Sequence, residues 1–341
     1  MKAYQLRPGT GISGLRVSNI PDPVPHPHEV LIRTQAVSLN FRDLMFASGA
    51  YYNLKDEPLV PLGDGAGEIV AVGSRVTRFQ PGDRVIHSYF PDWIDGAPDP
   101  RKLAVSFGTH IQGTLAEAFV APEDSLVRIP DYLSYAEAAT LSCTGTTAWN
   151  TLFVDGGLKP GATVLLQGTG GLSIFTLQLA KAAGLRVIIT SSSDEKLERA
   201  RALGADATVN YRTKSEWQDE VLRLTGGRGV DLVLELGGAG TLSRSIAATR
   251  MGGTVSVIGR IAGNVSGEQA VTHLDLIRGL LRLSGIFVGS RLMLEDLMAF
   301  LSTTKIRPII DREFDFAEAP LAYEHLKSGL HFGKIVIRVA R

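Results

Sequence analysis

Thr163-Val164-Leu165-Leu166-Gln167 runs straight into Gly168-Thr169-Gly170-Gly171-Leu172-Ser173, and the fold is decided there. The first five residues are a short continuous apolar run, the pattern of a strand buried on both faces. From Leu172 to Ala183 the pattern becomes helical. Between them, Gly168, Gly170 and Gly171 form a tight turn that brings backbone close to a ligand. A strand, a glycine turn and a helix in that order place unpaired N–H groups and the positive end of a helix dipole at one point. That arrangement suits a pyrophosphate. Ser173 stands where a third glycine is expected and adds a small side chain at the helix–strand contact.

Outward from this turn the rhythm repeats. Arg186–Thr190 reads as the next strand and Asp194–Leu203 as a helix stopped by Gly204. Thr208–Asn210, Ser215–Leu224, Val230–Glu235, Thr241–Ala248 and Thr254–Ile258 continue the alternation, and Leu283–Val288 reads as a last strand. Alternating strands and helices with apolar strands predict a parallel sheet covered on both faces. Before about residue 128 the pattern is different, with short strands such as Val30–Thr34, Gly67–Gly73 and Asp83–Ile86 between turn residues. Phe90–Gln112, carrying three prolines and two glycines, reads as a long loop of the kind that often forms a lid or mobile edge. After Arg291 come a helix (Leu294–Ser302) and a terminal strand (Lys334–Val339), which returns to the first domain. The expected division is 1–128 with 289–341 in one discontinuous domain, and 129–288 in the other.

Composition removes several classes of function. With 341 residues, 44% hydrophobic and 21% charged, the chain is long enough for two domains with ordinary cores. Thirty-five basic residues against thirty-five acidic leave a net charge of +0, with no surplus for a nucleic-acid backbone. A single cysteine, Cys143, excludes an intramolecular disulfide and any site built from several thiolates. No apolar run reaches the ~18–20 residues of a membrane span, and Met1-Lys2-Ala3-Tyr4 opens no signal-peptide core. A soluble cytoplasmic protein is expected.

The second strand bears on the cofactor. Enzymes that bind NAD usually carry Asp or Glu at that strand's tip, where it bonds the ribose 2′-hydroxyl. Here the tip is Thr190-Ser191-Ser192-Ser193, with no acid to repel a 2′-phosphate, and Lys196 follows one turn later. Ser193 also reads as a helix N-cap, with Asp194 and Glu195 satisfying the dipole. The two readings are compatible, and NADP is the expected cofactor.

With the first domain added, the chain resembles the medium-chain dehydrogenase/reductase superfamily. The blocks that carry the resemblance are Gly63-Asp64-Gly65-Ala66-Gly67, Pro81-Gly82-Asp83-Arg84-Val85, Gly113-Thr114-Leu115-Ala116-Glu117, Gly226-Gly227-Arg228-Gly229-Val230-Asp231 and Gly333-Lys334-Ile335-Val336. The resemblance implies an α/β protein, with a GroES-like, mostly-β catalytic domain beside a Rossmann doubly wound parallel-sheet domain. Zinc-dependent relatives hold the metal at three positions, which here are Asn40, Gly63 and Cys143. A catalytic zinc needs about three protein ligands, and only the thiol remains. The lobe that carries four cysteines in those relatives corresponds to the cysteine-free Phe90–Gln112. No zinc is expected, and Cys143 reads as a small buried hydrophobe.

The pattern Asn-x-x-Asp-x5-Gly-x-Tyr of zinc-free relatives is present as Asn40, Asp43, Gly49 and Tyr51. By resemblance, Asn40 bonds the substrate carbonyl or the carboxamide, and Tyr51 polarises the carbonyl or protonates the product. The plainer reading makes Asp43 a helix-start acid and Tyr51 and Tyr52 loop aromatics, and Tyr52 is an alternative donor. The resemblance also sets Thr147 beside the nicotinamide, Lys196 and Tyr211 on the 2′-phosphate, Gly259 at the nicotinamide ribose and Lys334 near the pyrophosphate. The implied activity is NADPH-dependent, zinc-independent reduction of a quinone, an enone or another activated carbonyl compound. Two alternatives stand beside it: interconversion of a small alcohol with its aldehyde or ketone, and a non-catalytic, crystallin-like NADPH-binding protein. A homodimer joined through the last strand of the cofactor domain is expected.

Overall fold

The computed structural model describes every residue except Asn53, residues 262–272 and Arg341. In chain order the strands are β1 (Lys2–Gln5), β2 (Arg16–Asn19), β3 (Glu29–Ser38), β4 (Asp64–Val72), β5 (Arg84–His87), β6 (Ala118–Pro122) and β7 (Leu126–Arg128). The alternating segment supplies β8 (Thr163–Gln167), β9 (Arg186–Ser191), β10 (Ala207–Asn210), β11 (Val230–Glu235), β12 (Thr249–Val257) and β13 (Arg282–Gly285). The tail adds β14 (Ile310–Asp315) and β15 (Lys334–Arg338). Among the described residues, no helix is long and apolar enough to cross a membrane.

Two compact units result, one of Met1–Thr146 with Val288–Arg341 and one of Thr147–Phe287. The expected break after residue 128 therefore lies too early. The helix Tyr135–Ala139 explains the difference. It is capped by Ser134, whose Oγ accepts from Glu137 N–H at 3.2 Å, and it packs on β3 and β4. Farther along, the Cys143 N–H donates to Asp64 Oδ1 at 3.1 Å. Sequence rhythm changes near residue 130, but the chain leaves the first unit's core only after Thr146.

The first unit is built on a seven-stranded sheet in the order β14-β15-β3-β4-β5-β7, with β6 also paired to β3. Its pairs are antiparallel apart from β14 with β15. The terminal strand thus returns to β3, pairing Ile337 with Val37. One core gathers Val37, Leu39, Phe46, Leu115, Tyr323 and Ile335. A second lies under Val30, Ile32, Ile69, Val85 and Phe119. Phe90–Gln112 contains no named strand or helix. It is nevertheless anchored, since Phe90, Trp93 and Phe107 are buried and Trp93 Nε1–H donates to the carbonyl of Gly96 at 2.9 Å. An irregular segment with that many buried rings is part of the core rather than a loose lid.

The second unit is a six-stranded, all-parallel sheet in the order β10-β9-β8-β11-β12-β13. All five residues of β8 and all six of β11 are buried, as expected for strands covered on both faces. The order reverses between β8 and β11, so the crevice beyond their carboxyl ends is where such sheets bind ligands. β12 begins at Thr249, earlier than the sequence suggested, because its register with β11 shifts once between Val230 and Leu232. That irregularity lets the strand pass Gly252 and Gly253 without breaking. The last strand is shorter than expected: β13 ends at Gly285.

Candidate functional site

In the second unit, the turn after β8 has the geometry of an anion cradle. Gly168 adopts φ +72°, and open space surrounds the point where a Cβ would stand. The helix Gly171–Ala182 starts from Gly170, with no side chain capping it, so its first N–H groups face outward with the dipole. Gly168, Gly170, Gly171 and Leu172 are all partly exposed. Ser173 is wholly buried and donates to the carbonyl of Gln167 at 2.6 Å. The residue that departs from the glycine pattern therefore ties the helix start to the strand end, beneath the cradle.

Ser192 follows the end of β9, Lys196 lies in the first turn of the next helix, and Tyr211 follows β10. The Tyr211 N–H donates to the carbonyl of Ser191 at 3.1 Å, and Tyr211 is 42% exposed. Ser193 caps the next helix, its Oγ accepting from Lys196 N–H at 3.3 Å. The cap therefore coexists with half-buried Ser192 and Lys196. Gly259 lies beyond β12, where a Cβ would meet the carbonyl of Leu236 at 2.5 Å; only glycine lets the two strand ends approach so closely. Thr147 is buried. Sequence reasoning missed Glu235, a fully buried carboxylate at the end of β11. It accepts from Gln167 Nε2 at 2.6 Å, from the N–H of Gly238 at 2.8 Å, and from the hydroxyls of Thr241 and Ser245. Gln167 in turn accepts from the N–H groups of Leu236 and Gly237 at 2.9 and 3.1 Å. This network pins together the two turns at the switch point, but no motif announces it.

In the first unit half-buried Asn40 and Tyr51 and buried Asp43 belong to one polar cluster. Asn40 precedes the helix Phe41–Ala47, and its N–H donates to Asp43 Oδ2 at 2.7 Å. The helix-start reading of Asp43 therefore holds. The Asn40 side chain donates to Asp64 Oδ2 at 2.8 Å and accepts from Thr144 Oγ1 at 3.2 Å and Lys334 Nζ at 2.7 Å. Lys334 also donates to the carbonyl of Leu39 at 2.6 Å, and its side chain is only 4% exposed. The expectation that Lys334 reaches a pyrophosphate is corrected here, because its ammonium is turned inward and engaged. Burial raises the Asp64 carboxyl to about 6 against the pull of Lys334 and Asn40, and burial lowers Lys334.

Arg42, which sequence reasoning passed over, links this cluster to Tyr51. Its Nε lies 3.1 Å from Asp43 Oδ1. Its Nη2 donates to the carbonyl of Phe107 at 2.9 Å, and its Nη1 to the Tyr89 hydroxyl at 3.0 Å and to Thr109 Oγ1. The Tyr89 hydroxyl lies 3.3 Å from that of Tyr51. Tyr51 stacks on Tyr52 with centroids 4.5 Å apart. Burial, then the neighbouring Tyr89, raises the Tyr51 phenol far above its ordinary value. Tyr51 is therefore a neutral donor at physiological pH.

The same guanidinium crowds one of the three expected metal positions. A Cβ on Gly63 would stand 2.7 Å from Arg42 Nη2 and 2.8 Å from the carbonyl of Phe107. No ligating side chain fits there unless Arg42 leaves. The Cys143 thiol is pushed up to about 12 by burial and by Asp64. The donor set at Asn40, Gly63 and Cys143 does not fit a zinc ion. Among the described residues, no group of three His, Cys, Asp or Glu side chains is placed to hold one.

Comparison with known proteins agrees with this architecture. Residues 26–131 match the alcohol dehydrogenase GroES-like domain, and residues 171–303 match the zinc-binding dehydrogenase family. A zinc-type alcohol dehydrogenase-like protein of Schizosaccharomyces pombe is 41% identical over 92% of each chain. A quinone oxidoreductase of Pseudomonas aeruginosa is 31% identical, also over 92% of each. A solved NAD-dependent alcohol dehydrogenase, 34% identical, superposes over 100% of both chains with a TM-score of 0.89. A mycobacterial protein solved with NADPH, 27% identical, covers 99% of this chain and 100% of its own with a TM-score of 0.84. Sequence blocks, sheet order and relatives converge: the chain belongs to the medium-chain dehydrogenase/reductase superfamily of oxidoreductases.

Proposed function

We propose that this oxidoreductase uses NADPH, without zinc, to reduce a quinone, an enone or another activated carbonyl compound. The observation that carries the reading is Tyr51, a half-buried phenol kept protonated and joined through Tyr89 to the Arg42 guanidinium. Reducing such a compound develops negative charge on oxygen, which a proton donor backed by a cation can meet. Oxidising an alcohol needs a base, and a phenol raised by burial is a poor one.

In this reading the bound nicotinamide supplies the hydride. The Gly168–Leu172 turn and the helix behind it hold the pyrophosphate, and Glu235 with Gln167 keeps that turn in register with Gly237. Ser192, Lys196 and Tyr211 hold the 2′-phosphate, and Thr147 and Gly259 border the nicotinamide end. The mycobacterial relative solved with NADPH supports the cofactor choice, while the NAD-dependent relative supports NADH; the open, acid-free tip of β9 favours NADPH. Asn40 positions rather than touches substrate, since Asp64, Thr144 and Lys334 already hold its amide.

The second reading is an alcohol dehydrogenase or carbonyl reductase, favoured by the names of two relatives. One experiment addresses both. NADPH and NADH oxidation is followed over a panel of quinones, enones and aldehydes, with alcohols offered to NADP and NAD in the reverse direction. Turnover of quinones or enones with NADPH, lost in Tyr51→Phe while NADPH affinity is kept, is the expected outcome. Alcohol oxidation alone would favour the second reading, and silence across the panel would leave a cofactor-binding protein.

A further inference from the structure

We propose that Gln167 and Glu235 are a positioning pair for the nicotinamide half of the dinucleotide, its adenosine half being held independently of them; the proposal rests on the reading of the turn after β8 as the pyrophosphate site. The pair lies at the floor of the crevice. Backbone pairing between β8 and β11 ends at Leu166 with Leu234, so Gln167 and Glu235, the next residues, stand where the strands part. The sheet order reverses there, and the ladder no longer sets the width of the opening. Side chains set it instead. Gln167 Nε2 donates to Glu235 Oε2 at 2.6 Å, and Gln167 Oε1 accepts from the N–H groups of Leu236 and Gly237 at 2.9 and 3.1 Å.

Each partner is anchored to a different side of the crevice. The Gln167 carbonyl accepts from Ser173 Oγ at 2.6 Å, which ties it to the start of the helix Gly171–Ala182. The Glu235 carbonyl accepts from the N–H groups of Ile258 and Gly259 at 2.9 and 3.3 Å. A Cβ on Gly259 would stand 2.5 Å from the carbonyl of Leu236. On the same side Gly238 adopts φ +79°, and a Cβ there would stand 2.9 Å from Arg260 Cα. The turn after β11 is therefore packed against Gly259, and Gln167 couples both to the pyrophosphate side.

The bonding pattern admits little change. Glu235 Oε1 accepts from the N–H of Gly238 at 2.8 Å and from the Thr241 hydroxyl, and Oε2 accepts from Gln167 and the Ser245 hydroxyl. Four donors meet a fully buried group that only accepts, as a buried carboxylate requires. In Glu235→Gln the introduced NH2 faces the N–H of Gly238 or the amide of Gln167, a donor either way. In Gln167→Glu two carboxylates face each other. The exchange Gln167→Glu/Glu235→Gln satisfies every group again. The introduced glutamate accepts from Leu236, Gly237 and Ser245, whose Oγ lies 2.8 Å from Gln167 Nε2. The introduced glutamine donates to that glutamate and accepts from Gly238 and Thr241.

The test titrates wild type, Gln167→Glu, Glu235→Gln and the double exchange by calorimetry, and reads melting midpoints alongside. The ligands are NADPH beside adenosine 2′,5′-bisphosphate, and NADH beside AMP. Gln167→Met, which leaves Glu235 three of its four donors, joins the series as the milder variant. Each single variant is expected to bind the dinucleotide roughly tenfold or more weakly, the worth of a hydrogen bond to a charged group. The adenosine half should bind within about twofold of wild type, and the double exchange should recover most of the dinucleotide affinity. At saturating NADPH the single variants should also lose the enhanced emission of an immobilised nicotinamide. Wild-type dinucleotide affinity in the single variants overturns the positioning role alone. Equal losses of whole and half ligands that the double exchange does not repair overturn it as well. Wild type that binds neither dinucleotide overturns the reading of the turn, and the proposal with it.

Discussion

Replacing Arg42 with methionine should destabilise the first unit heavily, by an amount that depends on pH. Methionine keeps much of the volume but removes the charge beside Asp43, whose side chain is 1% exposed. Asp43 would keep only the N–H of Asn40 at 2.7 Å, and the carbonyl of Phe107 would lose the bond from Nη2. Breaking a buried pair by removing one partner costs ~3–5 kcal/mol, a large share of the ~5–15 kcal/mol that holds a domain folded. At ~2–4 °C per kcal/mol for a unit of this size, its melting midpoint should fall by ~6–20 °C.

The pH dependence follows from the direction of the Asp43 shift. Burial already holds this carboxyl above its ordinary value, and Arg42 is the main influence pulling it back; without Arg42 it rises further. A carboxyl raised on folding contributes stability that is full below its unfolded pKa and is lost as pH rises through the folded value. The deficit of Arg42→Met should therefore be greatest at neutral and alkaline pH and shrink in acid, where a proton replaces the guanidinium. Calorimetry at about pH 5 and about pH 8 reads this difference, and the double variant Arg42→Met/Asp43→Asn should recover much of the loss. A drop below ~1 kcal/mol, equal at both pH values, would refute the claim that this ion pair organises the cluster.

Two further outcomes follow from the site geometry. Lys196→Ala should weaken NADPH binding by about tenfold, the worth of one phosphate contact, and leave NADH unchanged; fluorescence titration checks this, and equal losses would remove Lys196 from the 2′-phosphate. Gly63→His, which restores a ligand type at an old metal position, should cost ~1–3 kcal/mol through overpacking and gain no zinc. Calorimetry with elemental analysis reads both, and a stable variant holding one metal per chain would show that the Arg42 guanidinium yields.

Much of this protein is legible along the chain. The run Thr163–Ser173 and the alternation after it specify a parallel sheet, because apolar strands and glycine turns are local patterns whose periods differ. By resemblance, Asn40, Gly63 and the lone Cys143 likewise mark the three positions at which zinc-dependent relatives hold their metal. What escapes inspection is whatever depends on distant residues meeting. Residues 129–146 belong to the first unit because the helix Tyr135–Ala139 packs on β3 and β4. Lys334 turns inward because Asp64 and Asn40 wait for it across the sheet. Ser106 and His110 lie in a stretch that reads as a mobile loop, yet the buried rings of Phe90, Trp93 and Phe107 fix it against the core. The sequence alone determined the class of fold and the glycine turn after β8, since each is written in neighbouring residues. Only the tertiary structure decided that the Arg42 guanidinium fills the space beside Gly63 and joins the cluster to Tyr51, because a buried cation is placed by partners from three stretches of chain, Asp43, Tyr89 and Phe107 with Thr109.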